Sequence, residues 1–196
     1  ELIKGLLDLS KLESGTMSLK KAEIDVVPVV LDAAQTLAPA ARKKAVEIKV
    51  ESEPGLPTVW ADAERLRQVV LNLTENALKF TPERGHVKLV VRASTIERRA
   101  DEDGRGLVLF SAKRPAVEIC VVDIGIGVPD AEKERVFDAF YQVDGSATRE
   151  HEGTGLGLSI VRRLVDAHDG TVRVEDNEPK GAVFVVTLPC RRTTIA

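Results

Sequence analysis

Asn72, Asn76 and Lys79 stand four and three residues apart in the run Asn72-Leu-Thr-Glu-Asn76-Ala-Leu-Lys79-Phe80-Thr81. On a helix each interval is about one turn, so the three side chains share a face. Two carboxamides and an ammonium are poor core material. They suit a hard cation beside phosphate, because amide oxygens ligate Mg²⁺ and a lysine neutralises phosphate charge. The same residues also fit a solvent-facing polar stripe, with Leu66, Val69 and Leu73 on the opposite face supplying the core contact. Asp123 ends the apolar run 117–122, where a carboxylate has little structural purpose, and Gly125 and Gly127 follow it. Glycines let the backbone turn sharply and a flat ligand come close. An acidic acceptor there can take the exocyclic amine proton of adenine; a capping aspartate in a tight turn is the plainer alternative. Gly153, Gly155 and Gly157 lead into an apolar helix. Backbone N–H groups at a helix start can face phosphate oxygens. A dinucleotide-binding fingerprint would need a parallel βαβ unit directly upstream. Here residues 145–152 are polar and without periodicity, which reads as a mobile lid.

These groups need a helix, a strand end and a helix start to hold them, and the patterning supplies all three. Asp62 caps a helix running to about Phe80, closed by Thr81-Pro82. Residues 86–93 and 116–123 read as strands rich in Val and Ile. A short helix is expected over 130–137 and a longer one over 154–168, ended at Asp169-Gly170. Phe137 and Phe140 repeat at helical spacing, which fits core packing. Residues 171–175 and 182–188 pair as strands around a Lys180-Gly181 turn. Upstream, Asp25 caps a helix from about Val27 towards Lys44, with Pro28 in its first turn. A strand at 46–51, a turn at 54–57 and a short extended piece at 59–60 come next. Helices on one face of a mixed sheet give a two-layer α/β sandwich. Residues 1–14 place Leu2, Leu6 and Leu9 at coiled-coil spacing, closed by Gly15. That reads as the end of an amphipathic, coiled-coil-like helix, too short to fold alone; an ordinary terminal helix docking on its own domain is the plainer alternative. Between the strands at 86–93 and 116–123 lies an insertion longer than a hairpin needs. It holds a charged stretch at 97–104 and a candidate short strand at 107–110, and no function is assigned to it.

The composition narrows the classes. With 43% hydrophobic and 4% aromatic residues, the 196-residue chain can build one mostly aliphatic core with an appendage. A formal charge of −3 argues against nucleic acid or an anionic membrane surface. No stretch approaches the roughly 18–20 apolar residues of a membrane span. The chain opens on Glu1 with no legible signal peptide, which reads as an excised fragment. Cys120 and Cys190 lack metal spacing, and a reducing cytosol fits them best.

Taken together, in this order and spacing, the stretches resemble the N box (72–80), G1 box (123–127), F box (137–140) and G2 box (153–158) of the ATP-binding catalytic domain of sensor histidine kinases. The resemblance covers nearly the whole chain. It implies a Bergerat-type ATP-binding fold with a left-handed crossover, shared with gyrase and MutL. It divides the chain into 1–20, the end of the second dimerisation helix with its linker; 21–190, the catalytic domain; and 191–196, a tail. It implies ATP and Mg²⁺ as cofactors. Asp123 would bind adenine, and Asn72 and Asn76 would hold Mg²⁺ and phosphate. Lys79 would contact phosphate, with Asn72, Asn76 and Lys79 together as the catalytic set. Phe80, Gly125 and Gly127 would line the nucleotide, while Gly153, Thr154, Gly155, Leu156, Gly157 and Leu158 would wrap the triphosphate. Gln142 stands where relatives often carry an arginine aimed at the γ-phosphate.

The family's phosphoacceptor histidine lies on the first dimerisation helix, before residue 1. His86, His151 and His168 lack its expected neighbours, so each is read as a surface histidine and none as the acceptor. The expected partners are the protein's own histidine-bearing dimerisation domain, a second copy as a homodimer, and a response-regulator receiver domain. The expected location is cytoplasmic, within a parent that can be membrane-anchored. A self-contained ATPase of the same superfamily would carry a Glu general base one turn before the Mg²⁺-binding Asn. Asn72 occupies that place, and an amide cannot accept a proton as a carboxylate does. Glu75, adjacent to Asn76, points about 100° away. A nucleotide-sensing domain without kinase activity would show eroded boxes, and these are intact.

Overall fold

The computed structural model describes Leu6, residues 17–97, 113–143 and 154–190. Strands β1 (Ala22–Ile24), β2 (Glu47–Ser52), β3 (Val59–Ala61), β4 (His86–Glu97), β5 (Lys113–Asp123), β6 (Thr171–Asp176) and β7 (Ala182–Pro189) accompany helices α1 (Val26–Lys43), α2 (Ala63–Phe80) and α3 (Gly157–Asp166). Five strands form one mixed sheet in the order β2-β4-β5-β7-β6, and β1 and β3 make a separate antiparallel pair. Only β2 and β4 run parallel; the other neighbours in the large sheet are antiparallel.

Register aligns the core. Leu89, Val121 and Phe184 fall in one row and Val91, Ile119 and Val186 in the next. All six are buried, and they face the helices. Because strand side chains alternate faces, the intervening row Arg92–Glu118–Thr187–Thr171 looks outward. There Glu118 receives Arg92 at 2.8 Å and Arg173 at 3.2 Å. Burial pushes its carboxyl up, but the hydrogen bond from Arg92 and the charge of Arg173 carry it below its usual value. The expected two-layer sandwich, with helices on one face of a mixed sheet, is the fold.

The helices start where the sequence marks them. Asp25 accepts from the Val27 N–H at 2.9 Å, and Asp62 from those of Glu64 and Arg65 at 3.1 Å. Helix α1 buries Val26, Val30, Ala33, Ala34, Leu37 and Ala41 along one stripe. Helix α2 is central, touching both α1 and α3, and its Leu66, Val69 and Leu73 lie in the core as expected.

Five expectations need correction. Residues 130–137 form two separate 3₁₀ turns, Asp130–Glu132 and Arg135–Phe137, and no α-helix. Phe140 therefore does not share the face of Phe137: Phe137 is core, 6.3 Å edge-on to Phe184, whereas Phe140 is 61% exposed. The helix expected over 154–168 begins at Gly157, because Gly155 takes a left-handed φ of +68° that no α-helix accommodates. His168 is no surface residue but is 2% exposed. Strands β4 and β5 also extend further than their Val and Ile runs, pairing out to Glu97 and Lys113. The strand at 107–110 and the terminal helix fall outside the described residues, except that Leu6 is helical and exposed.

Candidate nucleotide site

Asp123 is the last residue of β5 and is 4% exposed. Its Oδ1 accepts from the Gly125 N–H at 2.8 Å and the Ala182 N–H at 3.3 Å. Among the described residues nothing bonds to Oδ2. Burial pushes the carboxyl up, against the pull of those two N–H groups. A desolvated acceptor with one oxygen unclaimed is suited to a ligand donor.

The turn after Asp123 is seated on the end of α2. A methyl group on Gly125 would lie 2.7 Å from the Phe80 carbonyl oxygen, closer than any real side chain sits. On the other side, Gly181 (φ +121°) presses against the Asp123 carbonyl, where a methyl would stand only 2.0 Å away. Asn177 Nδ2 donates to that same carbonyl at 2.8 Å. Asn177, Gly181 and Ala182 thus position Asp123 from behind, a role the sequence reading missed. Gly181 was legible only as a turn glycine, because its partner lies in another strand.

Asn72, Asn76 and Lys79 share one face of α2, and each is partly exposed. Asn72 Nδ2 donates to the Gly157 carbonyl at 3.3 Å, tying the middle of α2 to the first residue of α3. That bond uses Nδ2, and nothing among the described residues bonds to Oδ1. Asn76 has no hydrogen-bond partner among the described residues. Lys79 Nζ sits 5.0 Å from the Phe80 ring centroid, and burial pushes its ammonium down.

Helix α3 starts without a side-chain cap; Leu156 precedes it, buried, and the first turn carries no acidic residue. Thr154 Oγ1 accepts from the Leu156 N–H at 3.3 Å. The Cα of Gly157 faces open space, and Leu158 is half-buried against the core. An uncapped helix start leaves N–H groups available to an anion. Phe140, at φ +64°, donates its N–H to the Gly155 carbonyl at 2.9 Å. The segment after the 3₁₀ turns and the glycine turn before α3 are therefore held together through backbone.

Gly153, His151 and the expected lid at 144–153 fall outside the described residues. His86 is exposed at the start of β4. His168 accepts the Asp62 N–H at Nε2, 3.0 Å, with Nδ1 2.6 Å from the Leu164 carbonyl. Both ring nitrogens are occupied, which suits a structural strut. Among the described residues no cluster of three or more His, Cys, Asp or Glu could hold a metal. No helix among them is long and apolar enough to cross a membrane.

The family of histidine kinase-, DNA gyrase B- and HSP90-like ATPases matches residues 61–192. The chain belongs to that family, as an ATP-binding catalytic domain of the sensor histidine kinase kind. It is 37% identical over 191 residues to hybrid signal transduction histidine kinase D of Dictyostelium discoideum, covering 96% of this chain and 11% of that protein. With the autoinducer 2 sensor kinase/phosphatase LuxQ of Vibrio parahaemolyticus it shares 35% identity, over 97% of this chain and 21% of that one. Among solved structures, full-length ShkA in complex with AMPPNP superposes with a TM-score of 0.74 at 34% identity, covering 96% of this chain and 35% of ShkA. The nucleotide-free catalytic domain of histidine kinase ThkA gives 0.67 at 26% identity, over 87% of this chain and 98% of that domain. The chain thus spans about a tenth to a quarter of the length of the curated relatives it matches.

Proposed function

We propose that this domain binds Mg²⁺–ATP and delivers the γ-phosphoryl group to a histidine outside the chain, for relay to an aspartate on a response-regulator receiver domain. The observation that carries the reading is the Asn72–Gly157 bond. It joins a face able to hold a cation and phosphate to a helix start able to hold phosphate. In such transfer the protein's work is positioning and charge neutralisation. Asp123 takes the adenine amine on its unclaimed oxygen. Lys79 neutralises phosphate, and its partial burial makes the uncompensated charge more effective. The G2 residues 153–158 offer backbone N–H groups, and Phe80, Gly125 and Gly127 line the base. Asn72 and Asn76 fit Mg²⁺: the Asn72 amide is oriented nitrogen-inward, and the Asn76 amide is free among the described residues. When bound, Mg²⁺ would supply charge neutralisation across the phosphates.

The absence of a carboxylate at position 72 supports a kinase over a self-contained ATPase. Asn72 cannot deprotonate water, and Glu75, one position before Asn76 on the helix, is exposed and off that face. ShkA, whose structure carries AMPPNP, supports the choice of ligand. The same reading makes the partners a histidine-bearing dimerisation domain of the same polypeptide, a second copy and a receiver domain, and it places the domain in the cytoplasm. The test is phosphotransfer from labelled ATP. The isolated chain is expected to gain no acid-labile phosphate, and added dimerisation domain from the parent protein is expected to become labelled. Acid-labile label on the isolated chain would contradict the proposal and return attention to its three histidines.

A further inference from the structure

Helix α2 ends at Phe80, which leaves the carbonyls of residues 77–80 without intrahelical donors. Each meets a specific neighbour. The Thr81 N–H takes the Ala77 carbonyl at 2.9 Å. Lys44, the residue that closes α1, reaches across and donates from Nζ to both the Leu78 and Lys79 carbonyls at 2.7 Å. The Phe80 carbonyl lies against the Cα of Gly125. One ammonium therefore secures the turn that carries Lys79 and on which the Asp123–Gly125 turn rests. A cation is well placed there, facing the negative end of the helix dipole. Burial pushes the Lys44 ammonium down, with Glu83 opposing, so its position carries a desolvation cost that the carbonyl bonds offset.

We propose that Lys44 is a positioning residue for nucleotide binding: its two bonds to the last carbonyls of α2 fix Lys79 and the Gly125 turn relative to each other. Without those bonds the half-buried carbonyls would turn towards water and the last turn would fray. The Phe80 carbonyl would then lose its fixed contact beneath Gly125, and the phosphate and adenine contacts would no longer be set at one distance. Lys44 acts through these carbonyls, to which its ammonium is committed.

The proposal rests on the adenine-nucleotide reading of the site, so the wild-type chain is titrated first with Mg²⁺–ADP in a calorimeter. No binding there would sink that reading itself. With wild-type binding in hand, Lys44→Met is compared at a temperature well below both melting transitions. The expected result is an affinity lower by about tenfold, with Lys44→Arg, which keeps cationic donors, close to wild type. A purely structural role would lower the melting temperature and leave the affinity of the folded protein unchanged; that result overturns the proposal. So does a Lys44→Arg variant as impaired as Lys44→Met. If Lys44→Met does not fold, Lys44→Gln takes its place, polar but too short to reach both carbonyls, and wild-type affinity in that variant overturns the proposal equally.

Discussion

At Gly181 there is no room for a side chain: a methyl would stand 2.0 Å from the Asp123 carbonyl oxygen, at a φ of +121°. Gly181→Ala is therefore expected to lower unfolding free energy by at least about 2 kcal/mol, read from urea denaturation, and to weaken adenine-nucleotide binding with it. Wild-type stability in that variant would mean that the β6–β7 connection has slack where the structure has none. The contrast with Asn72, Asn76, Lys79 and Asp123 explains what the sequence could disclose at this scale. Those candidates follow from side-chain chemistry at local spacing, which the sequence displays directly. Asn177, Gly181 and Lys44 act on backbone atoms of residues 54, 58 and 34–35 positions away. No local pattern reports such a pairing, because it exists only once the sheet and helices have closed.

Among the elements, the end of α1 shows a conflict between sequence and geometry. The Ala45 N–H donates to the Arg42 carbonyl at 3.0 Å and the Val46 N–H to that of Ala41 at 2.9 Å, a Schellman closure. Ala45 sits there at φ +54°, where glycine is the usual occupant. It is exposed and loses no packing on truncation. Ala45→Gly is thus expected to stabilise the domain by about 0.5–1 kcal/mol; a lower melting temperature would contradict it. The far end of the same layer holds a pH-dependent strut. His168 joins the end of α3 to the start of α2, and accepting the Asp62 N–H at Nε2 requires the neutral ring. Burial holds its imidazole below the ordinary value of 6.5, with Lys21 acting in the same direction and the Leu164 carbonyl, Asp62 and Asp169 opposing. A folded value below the unfolded one contributes stability above 6.5 that is lost as pH falls through the folded value. Urea midpoints of the wild type should therefore drop on acidification below about pH 6.5, and His168→Gln should flatten that slope. Equal slopes would assign the acid sensitivity in that window to another group; Asp62, whose carboxyl is held below 3.8 by the Lys20, Arg65 and Glu64 N–H groups despite burial, loses its contribution only at lower pH. The helix starts at Asp25 and Asp62 were legible because a cap is a local signal. The three-residue strands β1 and β3 pair with each other across a long sequence gap, so only an extended piece at 59–60 was visible.

For the whole molecule, one arrangement organises the rest: a five-stranded sheet whose central strand β5 delivers Asp123 to the ends of the helices that carry the polar motifs. The layer order was readable from hydrophobic periodicity. The strand order was not, since β2 pairs in parallel with β4 across a helix and the β3 segment. The burial of the Asp123 carboxyl also bears on stability. A folded value above the unfolded one means that ionisation costs stability, and the cost is present once pH rises through the folded value. At neutral pH, Asp123→Asn removes that cost, and the amide oxygen can still accept the Gly125 and Ala182 N–H groups. Calorimetric titration with Mg²⁺–ADP of wild type and Asp123→Asn, beside the melting temperature of each without ligand, tests the central claim most directly. Wild type is expected to bind, and Asp123→Asn to bind at least about tenfold more weakly while melting no lower than wild type. Equal affinities in the two proteins would contradict the account, because Asp123 would then not be the group that holds the adenine.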